Sequence, residues 1–125
     1  LAGMLVGHYG AERVGTCDNP ADAARHADGL VNTTPMGMDK YPGLPIAAEA
    51  IEARHWAAEI VYFPLETAFL AAARRKGCRT LDGSGMAVNQ AVRAFEIFTG
   101  KVVDPARMRA SFNAQVMERA EVAAA

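Results

Sequence analysis

The chain has 125 residues, of which 51% are hydrophobic and 22% charged, and 13 basic and 14 acidic side chains give a net charge of −1. This composition predicts one folded domain or part of a larger one, and it excludes an intrinsically disordered chain. We expect no membrane and no nucleic-acid partner, because no apolar run reaches the ~18 residues of a spanning helix and no basic surface is indicated. No signal peptide is visible.

The cysteines and histidines are spread along the chain without the spacing of a ligand set. Cys17 and Cys78 belong to no CxxC pair, and we expect two reduced thiols, as is usual in the cytoplasm. His8, His26 and His55 lie among alanines and arginines, and we expect them to be solvated or packed. The sequence therefore predicts no metal site.

The first half of the chain predicts short elements. Arg13–Cys17 has the composition of a strand, and Asn19 can cap a helix over 20–27 that begins with a proline. The segment 28–32 predicts a buried strand, which leads into a loop rich in proline and glycine. A further helix is predicted over Ile46–Glu52.

The second half predicts longer elements. A strand over His55–Phe63 is followed by a helix that begins at Pro64 and ends with a left-handed cap at Gly77. A strand over 78–81, a helix over 86–98 and a last helix capped by Asp104 complete the chain. We expect the apolar stripe of the long helix to face the core; it comprises Val88, Ala91, Val92, Phe95 and Phe98. This alternation predicts an α/β fold with a parallel sheet and helical crossovers.

Polar residues follow two predicted strands, at the sheet edge where open α/β folds bind ligands. Asn32, Thr33 and Thr34 come after one strand; they can bond to a ligand, although a simple turn before a proline explains them equally well. Tyr62 ends the next strand. Its ring can line a pocket while its hydroxyl bonds to a ligand, or the hydroxyl can bond to the backbone.

A third candidate lies at the start of the long helix. The glycine turn there is weak as a phosphate loop, because it lacks the third glycine and the Lys-Ser/Thr pair of such loops. Gly83, Met86 and Gln90 fall along one helix face, since Gly83 and Gln90 are about two turns apart. This face could wall a small-molecule site or present a glutamine to solvent. No combination of side chains indicates a catalytic acid–base pair or a nucleophile triad.

Three segments, in this order and spacing, resemble the carboxyl-terminal half of shikimate dehydrogenases, including the quinate/shikimate dehydrogenase branch. They are Val31–Met38, Glu59–Thr67 and Gly77–Ala91, the last continuing over 94–100. The resemblance implies that residues 1–103 form the later part of a Rossmann-type NAD(P)-binding domain. It also implies that 104–125 form a terminal helix, which packs on an amino-terminal substrate domain preceding Leu1.

The resemblance also assigns roles to single residues. Six match positions that contact the cofactor: Asn32, Thr33, Thr34, Ile60, Gly83 and Met86. Tyr62 and Gln90 match residues of the substrate pocket, and Gln90 would bond to substrate hydroxyls. Glu59 stands where the family usually has Asp. The catalytic Lys–Asp pair belongs to the amino-terminal domain, so we expect no catalytic residue in this chain.

The implied function is transfer of a hydride between NADP or NAD and the 3-position of shikimate or quinate. The resemblance further implies that this activity serves aromatic amino-acid biosynthesis in the cytoplasm, and it is compatible with a homodimer. Two alternatives remain: a related α/β dehydrogenase that acts on another hydroxy acid, and a non-catalytic ligand-binding or regulatory module that keeps this half of the fold.

Overall fold

Three short parallel strands form one sheet, in the order β1 (Gly29–Asn32), β2 (Trp56–Glu59) and β3 (Arg79–Leu81). The structure is a computed structural model, and it describes residues 1–124. The helices are α1 (Ala2–Tyr9), α2 (Pro20–Ala24), α3 (Ala68–Arg75), α4 (Ser84–Thr99) and α5 (Pro105–Ala124), with a 3-10 turn at Ala48–Ala50. The predicted α/β class with a parallel sheet is confirmed. Ala125, the end of the expected range 104–125, lies outside the described residues.

Helix α3 packs on one face of the sheet and forms the core with it. The buried residues of this core are Ile51, Ala57, Phe69, Leu70, Ala72, Ala73 and Cys78. Full burial of a side chain such as Phe69 or Leu70 contributes about 1.5–3 kcal/mol. The opposite face of the sheet is open: Val31 and Leu81, which flank Ala58 in the strand register, are 50% and 67% exposed.

The two ends of α3 follow from local hydrogen bonds. The Thr67 hydroxyl accepts the Leu70 N–H at 3.2 Å, so the helix begins after Thr67 and the predicted start at Pro64 is wrong. Gly77 adopts the predicted left-handed conformation with φ +83°. Its N–H and that of Cys78 donate to carbonyls of the last turn, which closes the helix as a Schellman motif.

Several predicted elements of the first half differ from the structure. Arg13–Cys17 is not a strand, because no neighbouring strand pairs with its backbone in the described residues. The helix predicted over Ile46–Glu52 is reduced to the single 3-10 turn, since Ile51 turns extended and enters the core. Helix α1 was not predicted; its apolar residues lack an amphipathic pattern, and none of them is buried.

The expected core stripe of α4 is wrong for most of its residues. Val88 is buried, whereas Ala91 is exposed, Val92 is half-buried, and Phe95 and Phe98 are 40% and 85% exposed. The reason is that α4 packs mainly against α5, so that only its first turns approach the sheet.

His55 locks the amino end of the sheet to α2. The ring is 2% exposed; Nδ1 accepts the Glu52 N–H at 3.0 Å, and Nε2 lies 3.0 Å from the Ala24 carbonyl oxygen. These partners require the neutral ring with its hydrogen on Nε2. The guanidinium of the adjacent Arg54 donates to carbonyls at the end of α2, including that of Ala27 at 2.6 Å.

We predict that His55→Ala lowers the free energy of unfolding by about 2–3 kcal/mol, because it empties a buried site and removes the bonds of the ring to the Glu52 N–H and the Ala24 carbonyl, which keeps only the 3.4 Å contact with Arg54 Nη2. His26→Ala is the matched control, since His26 is exposed and should change stability by no more than about 0.5 kcal/mol. Urea unfolding of both variants measures the difference. Equal stability of the two variants would contradict this role of His55.

Candidate functional site

A cavity of about 440 Å³ lies at the carboxyl ends of β1 and β2. Its wall combines the loop after β1, the segment after β2 and one residue of α5. The lining residues are Thr33, Thr34, Pro35, Met38, Ile60, Val61, Tyr62, Phe63 and Arg119. The volume falls within the range of sites for small molecules, and the position is the one that open α/β sheets use for ligands.

Four of the eight predicted site residues line this cavity: Thr33, Thr34, Ile60 and Tyr62. Ile60 and Tyr62 are 40% and 42% exposed, so they give the wall an apolar surface that a ligand can cover. Within residues 1–124 the Tyr62 hydroxyl has no hydrogen-bond partner, so the alternative in which it bonds to the backbone is not found. Thr33 also keeps its hydroxyl free of hydrogen bonds in the described part of the chain.

Asn32 is buried and organises the loop after β1. Its Nδ2 donates to the Met36 carbonyl at 2.8 Å and to Glu59 Oε2 at 3.1 Å. Its Oδ1 accepts the N–H and the hydroxyl of Thr34, at 3.0 and 2.7 Å. Because both donors and both acceptor positions of the amide are used, Asn32 shapes the loop that carries Thr33 and Thr34.

Glu59 is a buried carboxylate to which the sequence analysis assigned no role. It is 4% exposed. It accepts hydrogen bonds from Asn32 Nδ2 at 3.1 Å, from the Val61 N–H at 3.1 Å and from the Thr67 hydroxyl at 2.8 Å. All three of these groups donate hydrogen bonds to Glu59, and an ionised carboxylate is a group that only accepts hydrogen bonds. A glutamate in a strand composed otherwise of Trp56, Ala57 and Ala58 was the signal for it.

Gly83 brings the start of α4 against the end of β2. A Cβ at this position would lie 2.6 Å from the Val61 carbonyl oxygen and 2.9 Å from that of Ile60. Any side chain would therefore collide with backbone, which gives the glycine a reason independent of ligands. Met86 is half-buried and Gln90 exposed, and neither lines the cavity. Their assigned roles, like that of Gly83 toward a cofactor, stay predictions.

Helix α5 contributes residues to the site that were not predicted. Met108, Phe112, Val116 and Ala120 repeat every four residues along α5; the first three are half-buried and Ala120 is exposed. The centre of the Phe112 ring lies 5.8 Å from that of Phe63. One turn after Val116, the Arg119 guanidinium lies 4.4 Å from the centre of the Phe63 ring. In the described residues no carboxylate lies within 4.0 Å of this cation, which sits at the rim of the cavity.

Among residues 1–124, no three His, Cys, Asp or Glu side chains lie close enough together to hold a metal ion. The helices in this part of the chain are too short or too polar to cross a membrane.

The sequence matches known dehydrogenases. The family described as "Shikimate 5'-dehydrogenase C-terminal domain" matches residues 83–111. The shikimate dehydrogenase (NADP(+)) of Pseudarthrobacter chlorophenolicus is 53% identical over 98 residues, which cover 78% of this chain and 33% of that protein. The quinate/shikimate dehydrogenase (NAD(+)) of Corynebacterium efficiens is 50% identical over 114 residues, covering 90% of this chain and 40% of the relative.

The fold matches a solved structure of the same kind. The quinate dehydrogenase from Corynebacterium glutamicum in complex with NAD superimposes with a TM-score of 0.79 at 43% identity, covering 90% of this chain and 41% of that one. The chain thus spans between a third and two fifths of the length of these two relatives.

Proposed function

We propose that this chain, which matches the carboxyl-terminal part of shikimate and quinate/shikimate dehydrogenases, belongs to an NAD(P)-dependent oxidoreductase of that family. The reaction is the interconversion of shikimate or quinate with the corresponding 3-dehydro compound, in aromatic amino-acid metabolism. Residues 1–103 serve as the later part of the cofactor-binding domain, and 104–125 as a terminal helix that packs on the substrate domain.

The observation that carries this proposal is the convergence of four predicted residues on one cavity. Thr33 and Thr34 come from the end of β1, and Ile60 and Tyr62 from the end of β2, in a cavity of about 440 Å³. Residues assigned to the cofactor and to the substrate thus share one wall, as a hydride transfer between two bound molecules requires. The positive charge of Arg119 at the rim suits a substrate that carries a carboxylate.

The side chains of the cavity suit the two molecules in different ways. The free hydroxyl of Thr33 can bond to polar groups of a dinucleotide, and the exposed surface of Ile60 can cover the apolar face of a nicotinamide ring. NAD(P), when bound, supplies the redox chemistry by accepting or giving a hydride. The Tyr62 hydroxyl can donate to the substrate while its ring keeps water away. The proton of the reacting hydroxyl is handled by groups of the amino-terminal domain.

Steady-state kinetics of the complete protein that carries this chain test the proposal. We expect oxidation of shikimate or quinate with NAD or NADP at about 1–1000 s⁻¹. The four substrate–cofactor pairs are measured separately, with lactate and glycerate as control hydroxy acids. Turnover of a control acid alone would favour the related dehydrogenase. Absence of both turnover and cofactor binding would favour the non-catalytic module and overturn the proposal.

A further inference from the structure

We propose that Glu59 is a positioning residue, whose buried carboxylate holds the cofactor loop and the substrate tyrosine in one fixed geometry. This inference rests on the proposed function, since it concerns the same cavity. The inference goes beyond the proposed function, because it assigns a role to a residue that does not line the cavity and touches neither the proposed cofactor site nor the proposed substrate site.

The two oxygens of Glu59 bond to different walls. Oε2 accepts from Asn32 Nδ2, and Asn32 in turn holds both the N–H and the hydroxyl of Thr34. Oε1 accepts the Val61 N–H at 3.1 Å, which fixes the backbone between Ile60 and Tyr62. One carboxylate therefore connects the loop after β1 with the segment after β2, and displacement of either wall must strain this connection.

A third bond ties the carboxylate to the start of α3. The Thr67 hydroxyl donates to Oε2 at 2.8 Å while its oxygen accepts the Leu70 N–H. The Thr67 side chain also packs against Gly37, where an added Cβ would lie 3.1 Å from the Thr67 Cβ. Glu59 thus lies at the centre of a hydrogen-bond network that joins two walls of the cavity to the start of the buried helix α3.

Two substitutions separate hydrogen bonding from packing. Glu59→Gln keeps the shape of the side chain but replaces one oxygen by an NH₂ group. That group must face either the Val61 N–H or Asn32 Nδ2, both donors, so at least one wall is released. Glu59→Asp keeps both acceptor oxygens but is one methylene shorter. If Glu59 acts by accepting hydrogen bonds, Glu59→Asp should be less damaging than Glu59→Gln. If Glu59 acts only by packing, Glu59→Gln should be the less damaging substitution.

The test measures the KM for the cofactor, the KM for the acid, kcat and the melting temperature of the complete protein and its variants. For Glu59→Gln we expect the cofactor KM to rise on the order of tenfold, as a lost bond to a charged group implies. Glu59→Asp should lie between Gln and the wild type. His55→Ala is the matched control, because His55 is equally buried and also makes two bonds, but at the other end of the sheet. It should lower the melting temperature and leave the cofactor KM unchanged.

Each outcome decides the matter. The proposal is overturned if Glu59→Gln leaves the cofactor KM unchanged in an active protein, if Asp is more damaging than Gln, or if His55→Ala raises the cofactor KM equally. An inactive wild-type protein would contradict the proposed function instead. If Glu59→Gln does not fold, Glu59→Asp is compared with His55→Ala, and only a cofactor KM above that of the control supports the role.

Discussion

The 125-residue chain on its own should show no oxidation of shikimate or quinate with either cofactor. In the proposed site it supplies one wall, and the described residues that line the cavity include neither a lysine nor an aspartate to move the proton of the alcohol. The relatives that it matches are more than twice as long, and the resemblance places that pair in their amino-terminal domain. We expect the loss to be complete, because general acid–base catalysis alone is worth about 10²–10⁴-fold and substrate positioning more.

The measurement is a coupled assay of the purified chain, with the complete protein as the positive control at equal concentration. Turnover in the range of about 1–1000 s⁻¹ by the chain alone would contradict the division of roles between the domains. Its stability should also be low, since the open sheet face leaves Trp56, Val31 and Leu81 between 42% and 67% exposed. A low melting temperature together with the circular-dichroism spectrum of a folded protein would show that the chain is inactive because it lacks catalytic groups and not because it is unfolded.

The sequence predicted those elements whose signals are local. The strand β2, the helix α3 and the left-handed Gly77 depend on a run of apolar residues, an amphipathic face and a glycine cap, and all three are found. The strand predicted over Arg13–Cys17 failed because a strand requires a partner, which residue patterns alone do not provide. The prediction that Phe95 lies in the core was wrong for a related reason: the periodicity of apolar residues defines one face of a helix but does not show which element packs on that face.

The candidate site divides in the same way. Thr33, Thr34 and Tyr62 were predicted from their positions at strand ends, which meet at one edge of a parallel sheet, whereas Ile60 was predicted from the family resemblance alone. The network of Glu59 was not found, because it joins residues up to 27 positions apart through bonds that only the folded backbone brings into range. Arg119 was missed because α5 reaches the cavity by tertiary packing against Phe63.

Among single substitutions in this chain, we expect a change of Gln90 to have the largest effect on substrate recognition. It lies two turns beyond Gly83, whose contact with the Ile60 and Val61 carbonyls places the start of α4 beside the segment that carries Tyr62. An amide that donates to one hydroxyl and accepts from another can sense the orientation of a polyhydroxy acid, which apolar neighbours cannot.

We therefore expect Gln90→Ala to lower kcat/KM for shikimate by about 5- to 150-fold in the complete protein. The loss corresponds to about 1–3 kcal/mol for substrate hydroxyls left without a partner, at about 1.4 kcal/mol per tenfold. The melting temperature should change little, because Gln90 is exposed and points away from the buried Val88. Asn89→Ala, at an equally exposed neighbour, is the control. If kcat/KM is unchanged, or falls equally in both variants, Gln90 only presents an amide to solvent, and substrate recognition depends on Tyr62 and the amino-terminal domain.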